Sequence, residues 1–389
     1  MSLRRLLAVS HRGAVGGASI VLDDLLGWIA GHAEVEITTL MLTPGDMGTR
    51  FARWGEVHEL GELDASTGPP GARLFDGGPT FDLVLLNSLE SLAVLPRLPA
   101  GVPVVSHIHE LEVSCRGWLR TVEGDPLRSG PDAWIAASRP VQEMLVGEYG
   151  APAERVFLHP SFVDVGRIEG RSVGDRELAG LRRSLGIPHD APVVMGSGTF
   201  EWRKGPELFV QLAAALEQHL ADPVHMVWVG GDLLGMEWDR LRSDIRRAGI
   251  ERLHVTGDVD EPVPYAQLAD VFVLTSHEDP FPLVCLEHAA LGHPVVTFRN
   301  GGIVDLLAEA GPEAARGVVE HLDTAAMVRR VQDLLYDDQL RGRAGEQLRE
   351  RVRAAYDLSV AAPPLFARLQ GLAASEPGPD ASKTPKDLT

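Results

Sequence analysis

Short runs of aliphatic and β-branched residues alternate with longer amphipathic stretches through the first half of the chain. This alternation is typical of βαβ units, in which helices join parallel strands and cover the sheet. Apolar residues at helical spacing predict helices over residues 19–29 and 139–148. The predicted strands of this half are residues 5–9, 35–41, 83–87, 102–107, 133–136 and 155–158.

The alternation stops at residues 161–190, which are rich in Gly, Arg and Asp, and it restarts after them. We expect a linker and a domain boundary in this segment. The second half predicts strands at 193–196, 226–229, 253–255, 271–274 and 295–297, and helices at 205–220, 238–248, 283–291 and 324–335. The pattern predicts an α/β protein of two Rossmann-like domains that face each other across a cleft, with a ligand at the carboxyl ends of the strands.

Length and composition agree with this division. A chain of 389 residues is long enough for two domains, and its 44% hydrophobic and 23% charged residues are ordinary for a globular protein. We assign residues 1–165 to an N-terminal Rossmann-like domain and residues 166–370 to a C-terminal Rossmann-like domain with terminal helices. Residues 371–389 have little apolar material and are expected to form a disordered tail.

Charge and cysteine content exclude several function classes. The 55 acidic residues against 36 basic ones give a net charge of -19, which disfavours nucleic-acid binding. Cys115 and Cys285 are the two cysteines and form no CxxC motif, so we expect neither disulfides nor zinc, and a cytoplasmic setting. No apolar run is long enough to span a membrane, and Arg4 and Arg5 form the only adjacent basic pair of the first domain. We therefore expect weak or no membrane association.

Residues 270–305 carry the most informative candidate chemistry. A strand ends at Leu274, and Pro282 suits the first position of the helix that follows. The amides of Leu283 and Val284 would then point their partial positive charge at a diphosphate. Glu287 lies one turn further along an otherwise apolar helix, where two vicinal ribose hydroxyls would satisfy its carboxylate.

The segment Asp279-Pro-Phe-Pro-Leu-Val-Cys-Leu-Glu287, followed by Ala290-Leu-Gly-His-Pro-Val-Val, resembles the acidic-x7-Glu signature of retaining GT-B glycosyltransferases. The resemblance is to glycosyltransferase family 4, also described as glycosyl transferases group 1. It implies a GT-B fold in which Glu287 binds the ribose of a nucleotide-sugar donor and Asp279 contacts the donor sugar. Glu278 stays an alternative to Asp279, because Pro-Phe-Pro stands where the family usually has Gly-Phe-Gly.

Two further segments of the second domain are similar to elements of that family. Gly198-Thr-Phe-Glu-Trp-Arg-Lys-Gly resembles the segment whose basic residues hold the pyrophosphate, which implies this role for Lys204. Thr199 stands where the family usually has Arg, so Arg203 is a candidate for the second positive charge. The loop that frames the nucleobase is matched by Gly257, Asp258 and Val259.

The first domain resembles the family more weakly. Gly16 and Gly17 are similar to the Gly-rich loop after the first strand, and His107-Ile-His-Glu110 is similar to a His-acidic element near the donor sugar. His107 and His109 lie on the same side of an extended chain, so spacing does not choose between them. We favour His109, because Glu110 follows it as an acidic residue does in the family.

Together these assignments predict a retaining, hexosyltransferase-like glycosyltransferase that moves a sugar from a UDP- or GDP-sugar to a soluble, polysaccharide or natural-product acceptor. Lys204, His109 and Asp279 are its candidate catalytic residues. Lys204 would stabilise the charge that develops on the departing diphosphate, and the resemblance implies that His109 and Asp279 lie at the donor sugar. The resemblance also implies that the N-terminal domain binds the acceptor and the C-terminal domain binds the nucleotide sugar. No cofactor or metal is expected, since Asp258-Val-Asp260 falls within the nucleobase loop. The alternatives are a nucleotide-sugar epimerase or a non-transferring nucleotide-sugar-binding protein of the same fold. The oligomeric state is left open.

Overall fold

The structure is a computed structural model that describes residues 3–67, 74–75, 80–99, 101–220 and 222–374. It consists of two compact units. The first comprises Met1–Ser161 together with the described part of Leu358–Thr389, and the second comprises Phe162–Asp357.

A parallel sheet forms the centre of the first unit. Its strands are β1 (Arg5–Ser10), β2 (Glu36–Met41), β3 (Glu56–Glu59), β4 (Leu83–Asn87), β5 (Val104–Ile108), β6 (Ala133–Ala136) and β7 (Val156–Leu158). They are arranged in the order β3-β2-β1-β4-β5-β6-β7. The helices of this part of the chain are α1 (Gly17–His32), α2 (Met47–Phe51), α3 (Leu60–Thr67), α4 (Glu112–Leu119), α5 (Pro126–Ser129) and α6 (Arg139–Gly147). Strands β4 and β6 are buried along their whole length, as expected for a parallel sheet covered on both faces.

A second parallel sheet forms the centre of the second unit, with strand order β10-β9-β8-β11-β12-β13. Its strands are β8 (Val193–Ser197), β9 (His225–Val229), β10 (Leu253–Val255), β11 (Val271–Leu274), β12 (Val295–Phe298) and β13 (Val318–Val319). Its helices are α7 (Val165–Gly170), α8 (Asp175–Ser184), α9 (Pro206–His219), α10 (Met236–Ala248), α11 (Val263–Ala266), α12 (Leu283–Ala290), α13 (Ile303–Ala310), α14 (Pro312–Ala315), α15 (Thr324–Tyr336) and α16 (Asp338–Arg351).

The last described helix, α17 (Leu358–Ala374), belongs to the first unit. Phe366 makes an edge contact with Trp28 of α1, at 5.8 Å between ring centroids. The Arg368 guanidinium lies 3.9 Å from the centre of the Phe157 ring. The sequence-based range 166–370 for the second domain is therefore wrong at its end, because the chain returns to the first unit after Asp357. Of the expected tail, residues 375–389 lie outside the described part of the chain.

The structure confirms the α/β class and corrects several elements. Residues 161–190 contain α7 and α8 rather than forming only a linker. The sequence pattern missed β3, whose four residues are Glu-Val-His-Glu, and β13, which has two residues. Both strands lie at an edge of their sheet, where little of a strand needs to be apolar.

In each sheet the strand order reverses beside the first strand, between β1 and β4 in one unit and between β8 and β11 in the other. Loops leaving such a pair of strands diverge to opposite faces, which opens a crevice at their carboxyl ends. Ligands of open α/β sheets bind at this position. The loops after β1, β4, β8 and β11 are therefore the places to look for a site. No helix in the described part of the chain is both long and apolar enough to cross a membrane.

Candidate functional site

The loops that follow β8 and β11 are in direct backbone contact. A short 3-10 turn, Trp202–Lys204, ends at Gly205, whose φ of +62° is in the left-handed region. A Cβ at Gly205 would lie 2.2 Å from the carbonyl oxygen of Thr275, so only glycine allows this approach. The Thr275 hydroxyl also donates to the Lys204 carbonyl oxygen at 3.3 Å. The two loops therefore fix each other's position at the switch point of the second sheet.

A buried carboxylate joins the basic residues of this site. Lys204 Nζ lies 2.6 Å from Asp279 Oδ2, and an Arg203 nitrogen lies 3.9 Å from the same oxygen. Asp279 is 4% exposed. The Arg203 carbonyl oxygen accepts from the amides of His277 and Glu278, which holds the loop that carries Asp279. The structure thus brings together Arg203, Lys204 and Asp279. Glu278, the residue before Asp279, is also buried.

Helix α12 begins just beyond this ion pair, at Leu283. Pro282 precedes the helix as its N-cap, one residue earlier than the sequence analysis expected. Val284 and Glu287 are partly exposed, whereas the other residues of α12 are buried. Because residues three apart share a helix face, Val284 and Glu287 present one accessible surface. Glu287 is therefore accessible one turn into α12, and its binding of a ribose stays a prediction.

The expected nucleobase loop lies after β10, on the other side of β8 from Asp279. Gly230, at the end of β9, donates its amide to the Gly257 carbonyl oxygen at 3.0 Å. The Gly231 amide donates to Asp258 Oδ1 at 2.8 Å. Val259 is partly exposed, and Thr199, which follows the close-packed Gly198 of the β8 loop, is exposed. These residues extend the candidate site along the carboxyl edge of the second sheet.

The first unit carries its own polar cluster at the equivalent edge. Helix α1 begins at Gly17 with Gly16 as N-cap, and both glycines are exposed. Asn87, at the end of β4, donates from Nδ2 to the Ala18 carbonyl oxygen at 2.9 Å. Its Oδ1 then faces His109 Nε2 at 3.0 Å. Because Oδ1 can only accept, Nε2 of His109 is the protonated ring nitrogen.

Burial sets the charge state of the histidines in this cluster. Burial, with a smaller contribution from His11, lowers the pKa of His109 to about 3. Burial also holds the pKa of His107 well below its usual value. The two rings lie 4.0 Å apart, but His107 is inside β5 and 1% exposed, whereas His109 follows the strand and is partly exposed. His109 is the more accessible of the two candidates.

Sequence reasoning named Glu110 beside His109 but missed Asn87 and Ser88, which contact His109 and Glu110. Glu110 accepts hydrogen bonds from the His109 amide at 2.9 Å, from the Leu89 amide at 3.1 Å and from the Ser88 hydroxyl. Burial raises the pKa of Glu110, while these three donors oppose that rise. Ser88 has a φ of +88°, a strained conformation for a residue with a side chain. The polar Asn87-Ser88 pair directly after an apolar strand was the available signal.

Among the residues that the structure describes, no group of three or more His, Cys, Asp or Glu side chains could hold a metal ion. The Cys285 thiol is buried, and burial, followed by the nearby Asp279 carboxylate, raises its pKa well above the usual value. A thiol in that state is a poor nucleophile and a poor metal ligand.

The sequence of the second unit matches a known family. Residues 180–351 match the family described as Glycosyl transferases group 1. A D-inositol 3-phosphate glycosyltransferase 1 of Catenulispora acidiphila is 33% identical over 230 residues, which cover 52% of this chain and 52% of the relative. The lipopolysaccharide core biosynthesis glycosyltransferase LpsE of Rhizobium meliloti is 32% identical over 174 residues, 44% of this chain and 48% of the relative. The chain spans about half the length of the curated relatives it matches.

Solved structures match nearly the whole chain. Anabaena HepE in complex with UDP-glucose aligns with a TM-score of 0.76 and 20% identity, covering 94% of this chain and 98% of that one. Sucrose-phosphate synthase from Thermosynechococcus elongatus aligns with a TM-score of 0.71 and 19% identity, covering 95% of this chain and 99% of that one. Residues 180–351 are therefore similar to the glycosyl transferases group 1 family, and the chain has the GT-B fold.

Proposed function

We propose that this chain is a retaining glycosyltransferase that moves a sugar from a UDP- or GDP-sugar to an acceptor hydroxyl. The observation that carries the proposal is the joining of Lys204, Arg203 and Asp279 at the switch point of the second sheet, directly before α12. Two cations and a helix N-terminus at one crevice suit a diphosphate. The solved complex of HepE with UDP-glucose supports a nucleotide sugar as donor.

In this proposal Lys204 is the main charge that stabilises the departing diphosphate. Breaking the bond between the sugar and the diphosphate leaves negative charge on the phosphate oxygens, so fixed positive charge lowers the barrier. Lys204 is already held near the crevice by Asp279, which reduces the cost of positioning it. Arg203 supplies a second charge, and Thr199 and the amides of Leu283 and Val284 supply neutral donors.

The remaining donor contacts involve carboxylates and neutral groups. Glu287 accepts from the two ribose hydroxyls, and Asp279, or Glu278 in its place, accepts from a hydroxyl of the donor sugar. Gly257, Asp258 and Val259 frame the nucleobase, and Gly16 and Gly17 leave room for phosphate or sugar at the start of α1. With Nε2 protonated, neutral His109 has its other ring nitrogen available to accept from a sugar hydroxyl.

Retention of anomeric configuration follows from the family resemblance, with the acceptor entering on the leaving-group face. We assign donor binding to the second unit and binding of the acceptor's reacting hydroxyl to the first. The acceptor is a soluble molecule, a polysaccharide or a natural product, and the setting is the cytoplasm. The net charge of -19 supports at most weak association with anionic membranes. Strong co-sedimentation with phosphatidylserine vesicles at physiological salt would contradict this assignment.

Incubation with donor alone separates the proposed transferase from its alternatives. A transferase releases nucleoside diphosphate at a rate that rises when acceptor is added, and an epimerase converts the donor into a new nucleotide sugar without acceptor. A binding protein gives a complex without turnover. UDP- and GDP-sugars are tested in parallel, and the anomeric configuration of the product is read by NMR. An inverted product would exclude the retaining mechanism.

Glu287→Ala tests the placement of the nucleotide. Losing the two ribose hydrogen bonds to a carboxylate is expected to weaken UDP or GDP binding by about tenfold to a hundredfold. Calorimetric titration of the parent and the variant measures this change, and the thermal midpoint of the variant reports whether it folds. Unchanged nucleotide affinity in a folded variant would remove Glu287 from the donor site.

A further inference from the structure

Trp202 is the one exposed tryptophan among the seven in the chain, all of which lie in the described residues. Its exposed fraction is 56%, although it lies two residues from Lys204. The residue is not needed for the core of the second unit, because its side chain is outside the buried cluster. A large apolar ring exposed beside a polar crevice is a feature that a ligand can use.

The indole rests on a ring that is itself held in place. Trp202 and His277 are stacked, with centroids 4.9 Å apart and planes 10° apart. The His277 amide donates to the Arg203 carbonyl oxygen at 2.9 Å, and His277 Nε2 lies 2.5 Å from Glu207 Oε1. His277 is thus fixed through its backbone and its side chain. Stacking on His277 fixes the orientation of the Trp202 ring, and more than half of the Trp202 surface is still accessible.

This position differs from that expected for the nucleobase. The sheet order is β10-β9-β8-β11-β12-β13, and the nucleobase loop follows β10. Trp202 instead stacks on His277, which follows β11 and makes an edge contact with His321, after β13, at 6.5 Å between centroids. The indole therefore lies on the β13 side of Lys204, and the nucleobase loop lies on the β10 side. The ring is free to serve a ligand other than the donor's base.

The groups around Trp202 select against anionic ligands. Glu201 and Glu207 are both at least 40% exposed on their side chains, and Arg203 is the nearby cation, 3.7 Å from Glu201. Arg203 and Lys204 both lie close to Asp279, at 3.9 and 2.6 Å from its Oδ2 atom. At the indole itself, the two carboxylates therefore disfavour phosphate, sulfate and uronate groups. The same carboxylates accept hydrogen bonds from hydroxyl groups. An apolar ring face bordered by acceptors is complementary to a pyranose, which has an apolar C–H face and a rim of hydroxyls.

We propose that Trp202, supported by His277 and bordered by Glu201 and Glu207, is a binding platform for a pyranose ring of a neutral oligosaccharide acceptor. This inference rests on the proposed function and makes it narrower, since it assigns the acceptor to the class of uncharged saccharides. The platform contributes affinity for a sugar unit through stacking, while Lys204 and Asp279 act on the donor. No covalent step is assigned to Trp202.

Acrylamide quenching of tryptophan fluorescence tests the platform directly. The probes are maltohexaose, cellohexaose, laminarihexaose and chitohexaose, each titrated into the full chain. We expect at least one of them to protect the parent protein from quenching, because a stacked pyranose covers the one exposed indole. In Trp202→Ala the protection should disappear, and calorimetric affinity for the same probe should fall about tenfold or more.

Matched variants separate stacking from general damage. Trp238→Phe changes another tryptophan of the same unit, which is partly buried and stacks on Phe200 at 5.7 Å, and it should keep the parent affinity. Trp202→Tyr should retain part of the affinity, because an aromatic face is still present. Glu201→Gln should improve binding of hexagalacturonate relative to maltohexaose. Equal affinity of Trp202→Ala and the parent, or equal loss in Trp238→Phe, would overturn the platform.

The test also distinguishes this inference from the proposed function. UDP and GDP affinities are measured on the same samples, and Trp202→Ala should leave them unchanged within twofold. If a nucleotide binds the parent but none of the four saccharides protects Trp202, the platform is wrong and the donor site stands. If a saccharide protects Trp202 but no nucleotide binds, the platform stands and the transferase proposal fails. Nucleotide affinity lost in Trp202→Ala would instead assign the indole to the donor.

Discussion

Lys204 combines two properties at the scale of a single residue. It is the only lysine outside the C-terminal tail, where Lys383 and Lys386 lie, and its ammonium group is within 2.6 Å of a carboxylate that is almost fully buried. Buried carboxylates need partners, so Asp279 holds Lys204 at the crevice in the absence of a ligand. In the proposed function, the ammonium group would contact phosphate and Asp279 together, because it has three donors.

Lys204→Ala should therefore lower turnover by more than it weakens donor binding. Charge on the leaving diphosphate develops fully only in the transition state, so we expect kcat to fall about 10²- to 10³-fold with a smaller change in KM. Lys204→Arg should recover part of kcat, since charge returns with a different geometry. Steady-state kinetics with a single donor measures both constants. A rise in KM alone would make Lys204 a donor-binding residue and shift the catalytic role to Arg203.

The Asn87 contact gives His109 a defined tautomer, and it can be tested by changing one atom. In Asn87→Asp a carboxylate replaces the amide beside His109 Nε2, 3.0 Å away. A nearby negative charge favours the imidazolium, so the pKa of His109 should rise from about 3. Histidine NMR across pH 3 to 8 follows this change. A His109 titration equal to that of the parent would contradict the assigned hydrogen bond, and Asn87→Ser serves as a control without added charge.

The sequence indicated the residue types at the site but not their contacts. Glu287 stands out because it lies one turn into an apolar helix, whereas Lys204 and Asp279 were assigned through the resemblance to the glycosyl transferases group 1 family. Asn87 and Ser88 could not be assigned, because Asn87 contacts His109 and Ser88 contacts Glu110, and each pair is 22 residues apart in the chain. The pairing of Lys204 with Asp279 joins residues 75 positions apart for the same reason. Long-range pairing follows from strand order, which local patterns do not contain.

At the scale of elements, the loop between β11 and α12 is clamped by neighbouring loops on two sides. Gly205 packs against Thr275 on one side, and Gly301, with a φ of +65°, packs against Asp279 on the other. The Gly302 amide also donates to the Pro280 carbonyl oxygen at 2.8 Å. Two glycines in left-handed conformations thus allow backbone contacts that fix the loop carrying Asp279.

Gly301→Ala should displace the loop that carries Asp279, whereas Gly292→Ala, at a similar backbone conformation, should not. A Cβ at residue 301 would lie 1.8 Å from the Asp279 carbonyl oxygen, so the loop must move. Gly292, which follows α12, has a comparable φ of +84°, but its nearest neighbour would be 3.8 Å from the new Cβ. Gly292→Ala should cost only about 1–2 kcal/mol of backbone strain.

We expect Gly301→Ala to lower stability by more than Gly292→Ala and to weaken donor turnover even at a temperature where it is folded. Thermal midpoints and kcat/KM of the parent and the two variants, measured under the same conditions, test this expectation. Equal effects of the two substitutions would mean that the close approach to Asp279 is unimportant.

Elements were predictable from sequence where burial made a strand continuously apolar. The bounds of β4, β6 and β11, which are buried along their whole length, coincide with the predicted runs. The missed helix α16 is Asp-Gln-Leu-Arg-Gly-Arg-Ala-Gly-Glu-Gln-Leu-Arg-Glu-Arg, whose few apolar residues are diluted by charge. It is stable because Leu340, Ala344 and Leu348 line up at i, i+4, i+8 and are buried. Such a narrow apolar stripe gives only a weak helix signal in the sequence, but its burial is sufficient to hold the helix in the folded unit.

At the scale of the whole molecule, the chain leaves the first unit at Ser161 and returns to it at Leu358. The return is made by α17, which packs on α1 through Phe366 and Trp28. No local pattern predicts this return, because α17 is separated from α1 by the whole second unit. The consequence is that the first unit is built from both ends of the described chain.

Buried neutral histidines occur in both units and should make the protein sensitive to acid. In the second unit, burial holds the pKa of His288 well below its usual value and lowers that of His293 to about 4. In the first unit, burial lowers the pKa of His159 to about 4. Between pH 6.5 and 4 the unfolded chain binds protons that these folded histidines do not bind. Stability is therefore fully present above pH 6.5 and falls as the pH decreases through this window.

His293→Leu should reduce this acid sensitivity. Each unit of lowered pKa corresponds to about 1.4 kcal/mol, so removing His293 should recover up to about 3 kcal/mol at pH 4.5 relative to its effect at pH 7.5. Urea and thermal unfolding of parent and variant at both pH values measure the difference. His189→Leu is the control, because His189 is exposed and pairs with Asp190 at the surface. If His293→Leu and the parent lose the same stability on acidification, His293 does not contribute to the acid response, and the neutral state assigned to the buried imidazole is wrong.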